Sequence, residues 1–121
     1  GQTHHPDHIA VSRWTTRAVR ASGSGATVLY AAMTTEWVAE FNEVVPMDQV
    51  MMTEDPPPTV PVEDLALWFV CDDDLSDRKV RALRCQVSQV EPIIALSGID
   101  VFTRLTRDEM FRVAGADDWP D

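Results

Sequence analysis

The residues best suited to chemistry lie at the beginning of this chain, in the run THHPDH at residues 3–8. All three histidines of the sequence fall within this run. Imidazole is the commonest zinc ligand in proteins, and a neighbouring carboxylate often fixes the tautomer of such a ring. The run is therefore a candidate metal or acid–base site. A solvated N-terminus and residual tag residues remain equal alternatives on spacing alone, because so short a pattern has low specificity.

A helix is expected to position these residues. Pro6 suits the first turn of a helix, and Asp7 places negative charge at the positive end of the helix dipole. Apolar residues then recur at helical spacing as far as the Ser- and Gly-rich stretch 22–25, which predicts a helix over about residues 7–21. Val11 and Trp14 belong to its predicted buried face. Helix starts at the end of a sheet are where α/β proteins build their sites.

The rest of the chain reads as alternating strands and helices. Strands are predicted at residues 26–33 and 65–71, and helices at 34–45, 77–90 and 101–107, with a short piece at 110–113. Thr34 is the expected N-cap of the second helix. Residues 46–64 carry five prolines and predict an ordered surface loop, with a short strand at residues 50–52.

Two further groups of residues have both a functional and a structural interpretation. The acidic run Asp72-Asp73-Asp74 lacks the glycine and the ligand spacing of a calcium site, so Asp74 or Ser76 is expected to cap the next helix. Trp14, Trp37 and Trp68 are able to stack on sugar rings. Their periodic apolar positions favour the core instead.

Three segments of the chain resemble the PIG-L/LmbE family of zinc-dependent de-N-acetylases. The run HPDHIAVSRW at residues 5–14 resembles the second motif of that family. Two later segments agree with it in order and distance, namely Lys79 with Ala82-Leu83 and Ser88-Gln89, and then Glu109-Met110-Phe111-Arg112. The resemblance spans nearly the whole chain. It implies that residues 1–121 are the C-terminal part of one deacetylase domain whose N-terminal half is missing from this sequence.

The resemblance implies an α/β fold, the C-terminal portion of a Rossmann-like domain with helices packed on a small, mostly parallel sheet. It implies that the intact protein removes an acetyl group from an N-acetylated amino sugar or sugar conjugate. His8 would be a zinc ligand, His5 would stabilise the tetrahedral intermediate and act as general acid, and Asp7 would position them. Zinc held by three ligands keeps a position for water, a carboxylate removes its proton, and a histidine stabilises the charge that follows.

The chain departs from the family pattern in two places. It contains no P-H-P-D-D-E motif, which in the family supplies two zinc ligands and the general base. Gln86 stands where the later family helix usually has histidine. The chain begins at Gly1 and is motif-like at once, which suggests truncation. We therefore expect it to be inactive alone and to expose apolar surface near residues 26–33.

Composition limits the partners and leaves other functions open. The formal net charge is −10, which argues against nucleic acid and anionic membrane surfaces, and no apolar run is long enough to cross a bilayer. Cys71 and Cys85 have no C-x-x-C spacing, so two buried thiols in the cytoplasm are expected. An oligomer remains possible. The rival function is a non-catalytic acidic interaction domain derived from the same fold, and an unrelated metal-binding module would require further ligands.

Overall fold

The computed structural model describes residues 2–118, which form five helices and a small sheet of three strands. The elements in chain order are α1 (Pro6–Ser22), β1 (Leu29–Ala31), α2 (Thr35–Asn42), β2 (Leu67–Val70), α3 (Asp73–Arg84), α4 (Val87–Ser97), α5 (Ile99–Leu105) and β3 (Asp108–Val113). Two short 3-10 turns, Met47–Gln49 and Val62–Asp64, lie in the segment between α2 and β2. The fold is therefore mixed α/β, as the sequence predicted.

The sheet is antiparallel, so the prediction of a mostly parallel sheet was wrong. Its order is β1-β3-β2, and the central strand β3 runs opposite to both neighbours. Tyr30 faces Arg112 in one pair, and Trp68 faces Met110 in the other. β1 and β2 do run in the same direction, but β3 lies between them and they do not pair with each other. The sequence pattern gave β3 only a short piece at residues 110–113, because charged residues interrupt its apolar alternation.

Helix α1 begins and ends as predicted, but it packs through its opposite face. Gly23 closes it in the left-handed conformation, with φ of 60°. Val11 and Trp14, from the predicted buried face, are 57% and 67% exposed. Thr16 is instead 1% exposed; its hydroxyl donates to the carbonyl of Ser12 and hydrogen-bonds the Tyr30 hydroxyl. A polar contact thus joins α1 to β1.

The second helix and the long loop after it follow the sequence only in part. The Thr34 side chain accepts a hydrogen bond from the Trp37 amide at 3.1 Å, as expected of an N-cap. Trp37 is half-buried against Phe41, and its indole nitrogen donates to the Leu105 carbonyl. The loop at residues 46–64 contains the two 3-10 turns, and the strand predicted at residues 50–52 does not form.

The last three helices pack on one another around Val80, Val90 and Phe102. The sequence predicted one helix over residues 77–90, but the backbone turns at Gln86, where ψ is 63°, and divides it into α3 and α4. Val87 is consequently 62% exposed. The cap of α3 is Asp72, whose Oδ1 accepts from the Leu75 amide at 2.9 Å, and not Asp74 or Ser76.

Three further expectations are met by the fold in whole or in part. Cys71 and Cys85 are both free thiols; Cys71 is buried as predicted, whereas Cys85 is exposed. Within residues 2–118, no helix combines the length and the apolar character needed to span a bilayer. Apolar exposure near the first strand is seen at Leu29, which is 44% exposed, while Ala32 and Met33 are buried.

Candidate functional site

The predicted site residues occupy the first turn of α1 and the residue before it. His5 is the N-cap, with extended backbone at φ −65° and ψ 128°. Its Nδ1 accepts a hydrogen bond from the Asp7 amide at 3.2 Å, and its carbonyl accepts from the Ile9 amide. Pro6 is the first residue of α1, where an N–H would have no partner within the helix, so the missing N–H of proline costs nothing. The HPDH spacing therefore forms a helix start in which His5 closes the cap and His8 projects from the first turn.

The cap hydrogen bond fixes which nitrogen of His5 carries a proton. A neutral imidazole has one donor and one acceptor nitrogen. Because Nδ1 accepts from the Asp7 amide, the proton of neutral His5 must lie on Nε2. Nε2 is then available to donate to a negatively charged oxygen. The Asp7 carboxylate lies 4.0 Å from Nδ1 at its nearer oxygen and is itself largely exposed.

The two site histidines lie beside each other. The ring centroids of His5 and His8 are 5.1 Å apart, and the ring planes are tilted by 37°. The His8 side chain is exposed, and His5 is half-buried. The structure therefore brings together His5, Asp7 and His8, the three residues that the sequence singled out.

A cavity of about 390 Å³ lies between α1 and β1, and His8 is one of its lining residues. Val11, Ser12 and Thr15 of α1 line one side, and Tyr30 lines the other. His5 is not among the described lining residues. A helix start at Pro6 and Asp7 predicts that the imidazoles of His5 and His8 turn towards one concave surface; of the two residues, His8 alone lines this cavity.

The cavity is also lined by an ion pair between Arg112 and Asp118, which the sequence did not predict. Arg112 makes two hydrogen bonds to the Asp118 carboxylate, at 2.8 and 3.0 Å, and its guanidinium lies 4.9 Å from the centre of the Tyr30 ring. The hydrogen bond to Asp118 raises the pKa of Arg112. The same bond, helped by the Gly115 amide, lowers the pKa of Asp118 against the opposing effect of burial. Asp118 balances the positive charge of Arg112, so this arginine does not present an unpaired cation to the cavity.

His4 is a second residue that the sequence did not single out. Its backbone has φ of 58°, a left-handed conformation that is strained for a residue with a Cβ. Its Nε2 is buried and has no hydrogen-bond partner among the described residues. The carbonyl of the preceding Thr3 accepts from the Met52 amide at 2.9 Å, so the long loop holds this turn in place. Strain of this kind is common beside functional sites.

The two later segments that carry the family resemblance are joined in the structure. Lys79 on α3 forms an ion pair of 2.7 Å with Glu109 on β3, and its ammonium group also donates to the Thr106 carbonyl. The Lys79 side chain is 21% exposed and that of Glu109 is 42% exposed. Gln86, the residue that departs from the family pattern, is exposed at the junction of α3 and α4. The contact fastens the helical cluster to the central strand.

At this site the described residues offer zinc the accessible side chain of His8 and no complete ligand set. No group of three His, Cys, Asp or Glu side chains gathers at metal-binding distance within residues 2–118. His8 is exposed and borders a cavity, so its ring is accessible to a metal. A stable catalytic zinc site takes three protein ligands. The other two would have to come from beyond the part of the chain that the structure describes.

Comparison of the chain with models of known protein families, with curated proteins and with solved structures gave no match.

Proposed function

We propose that this chain is the C-terminal part of a zinc-dependent de-N-acetylase of the PIG-L/LmbE type, which acts on an N-acetylated amino sugar or sugar conjugate. The observation that carries the proposal is the helix start at HPDH, where His8 borders a cavity and the ring of His5 lies 5.1 Å away. The likeness of residues 5–14 to the family motif supports the same function.

His8 would be the one zinc ligand that this chain contributes. It is exposed at the cavity edge and has no cap hydrogen bond to maintain. Bound zinc would supply Lewis acidity, which makes water a better nucleophile and polarises the amide carbonyl.

His5 would donate a hydrogen bond to the oxygen that becomes negative during amide cleavage. The cap supports this role because it leaves the Nε2 proton free and holds the ring by Nδ1. The resemblance also makes His5 the general acid, and for that step the ring would first have to take up a second proton at Nδ1, which would end the cap hydrogen bond, because a neutral ring that lost its Nε2 proton would become an anion. Asp7 would position the ring of His5 through the hydrogen bond from its backbone amide, and the carboxylate of Asp7 lies 4.0 Å from Nδ1 of that ring.

The proposal requires a second segment that carries two further zinc ligands and a carboxylate base. The described residues lack such a set, so the chain by itself should release no acetate. The cytoplasm is the proposed location.

The test is complementation of the whole chain with a family-type N-terminal half that contains P-H-P-D-D-E. Zinc content and acetate release from an N-acetylglucosamine conjugate are measured before and after. We expect one zinc per complex and turnover that a chelator abolishes. A folded complex that binds no zinc and releases no acetate would contradict the proposal.

A second candidate function is a non-catalytic acidic interaction domain. The observation in its favour is the exposure of all four side chains of β2 in a chain of net charge −10. This function predicts a partner protein instead of a substrate, and it survives if the complementation test fails.

A further inference from the structure

The strand β2 is exposed on both faces. Leu67, Trp68, Phe69 and Val70 are 44%, 51%, 47% and 56% exposed. Successive residues of a strand point to opposite faces, so each face of β2 carries apolar side chains that are about half exposed. Most of this apolar surface would be removed from water if another element packed beside it.

One edge of β2 is also open. The sheet order β1-β3-β2 places β2 at the end of the sheet, and within residues 2–118 it pairs only with β3. Proteins normally protect such an edge with lysine, proline or a covering segment. β2 contains none of these residues, which leaves an apolar strand ready to pair with another.

Both ends of β2 are acidic, and this charge selects the partner. Glu63 and Asp64 precede the strand, and Asp72 to Asp74 follow it; all five carboxylates are exposed. Arg107 pairs with Asp73 at 2.7 Å, and within residues 2–118 no ion pair is formed by the other four.

A second copy of the chain is a poor partner for this edge. An antiparallel pair of two copies would bring the acidic residues before β2 of one copy towards those after β2 of the other, although both groups lie outside the strand itself. Like charges brought close together repel each other and disfavour such a pair. A strand that carries lysine or arginine at its ends would meet attraction at the same positions.

We propose that the open edge of β2 binds an extended segment of another protein, with an apolar centre and basic residues at both ends, as a fourth strand of the sheet. Main-chain hydrogen bonds would supply affinity, and apolar side chains would cover the two faces of β2. The inference does not depend on the proposed enzymatic function.

The test uses the whole chain and a fluorescent nine-residue peptide, Lys-Arg-Val-Thr-Val-Tyr-Val-Arg-Lys. Its matched control replaces the four basic residues with glutamate. We expect saturable binding of the basic peptide, followed by fluorescence anisotropy, and at least about tenfold weaker binding of the acidic peptide. The affinity for the basic peptide should fall as salt rises, because the attraction between exposed charges is screened.

Two matched variants locate the binding site. Val70→Lys places a charge on the open strand, whereas Val87→Lys makes the same change at a similarly exposed valine on α4. Val70→Lys should weaken peptide binding by about tenfold or more, and Val87→Lys by less than about twofold. Hydrogen exchange of the unmodified protein should slow in residues 67–70 when the basic peptide is bound.

Three results would overturn the proposal. The first is equal binding of the basic and acidic peptides, and the second is equal binding by Val70→Lys and Val87→Lys with no protection of residues 67–70. The third is a dimer of the unmodified chain, seen by sedimentation, that Val70→Lys dissociates. That last result would assign the edge to a second copy.

Discussion

The rings of His5 and His8 lie 5.1 Å apart, yet the two residues have different surroundings. His5 is half-buried and its Nδ1 is engaged by the Asp7 amide, whereas His8 is exposed at the edge of a cavity. Substitutions at the two positions should therefore have separable effects on folding, metal content and turnover.

The substitution His8→Ala should remove zinc from the complemented protein. If His8 is one of three ligands, the remaining two hold zinc poorly. We expect the zinc content, measured by elemental analysis after dialysis, to fall from about one per complex to near zero. The unfolding midpoint of the isolated chain should change little, because the His8 side chain is exposed. Full zinc and full activity in His8→Ala would remove the basis for its role.

Two substitutions of His5 should separate its cap from its chemistry. His5→Ala loses the side-chain acceptor of the cap and should cost about 1 kcal/mol of unfolding free energy, whereas His5→Asn keeps a good cap and should cost less. Both should retain zinc in the complemented protein and slow acetate release by about a hundredfold or more. Denaturant unfolding and turnover are measured on the same preparations. Normal turnover in His5→Asn would show that the imidazole has no chemical role.

The start of the site was predictable because its signals are local. Pro6 and Asp7 specify a helix start within two residues, and the structure places the first turn there. The partners across the cavity were not predictable. Arg112 and Asp118 reach the site from the other end of the chain, and no local pattern announces their pairing.

The topology and the packed faces depended on contacts that a sequence pattern does not contain. Asp108, Glu109 and Arg112 interrupt the apolar alternation of β3, so the central strand was predicted only as a short piece. The mostly parallel sheet was implied by the family resemblance, and the antiparallel pairing of β3 with both neighbours contradicts it. The apolar stripe of α1 predicted that Val11 and Trp14 would be buried, which would have required the sheet to lie on their side of the helix. The sheet contact through Thr16 and Tyr30 lies on the other.

The exposure of Trp14 makes a clear prediction about stability. Trp14→Gln should change the unfolding free energy by less than about 0.5 kcal/mol, the usual range for surface positions. The matched change Trp37→Gln should cost about 3 kcal/mol or more, because Trp37 stacks on Phe41 and its indole nitrogen donates a hydrogen bond to the Leu105 carbonyl. Chemical denaturation followed by circular dichroism gives both values. A large loss in Trp14→Gln would indicate that this face of α1 is covered in solution.

The contact between Lys79 and Glu109 should contribute to stability through two partners. Lys79→Met removes both the ion pair and the hydrogen bond to the Thr106 carbonyl, while the methionine retains most of the apolar stem. We expect a loss of about 1 to 2 kcal/mol, as for a hydrogen bond that involves a charged group. Glu109→Gln should cost less, since the bond to Thr106 remains. The double variant should be no worse than Lys79→Met; strict additivity of the two changes would contradict the coupling.

The pair Arg112–Asp118 should make stability depend on acid pH in a defined direction. The pKa of Asp118 in the folded chain is lowered by the hydrogen bond from Arg112, so folding favours the ionised carboxylate. The stabilising effect is fully present above the ordinary aspartate pKa and is lost as the pH falls through the lowered folded-state value. Asp118→Asn should therefore be less stable than the unmodified chain at pH 7, by about 1 to 2 kcal/mol. The difference should shrink as the pH falls below about 4 and through the lowered pKa, because the carboxylate is then protonated first in the unfolded chain and afterwards in the folded chain. Unfolding curves of both proteins between neutral and acid pH provide the measurement. A difference that stayed constant across this range would mean that Asp118 contributes through packing and not through its charge.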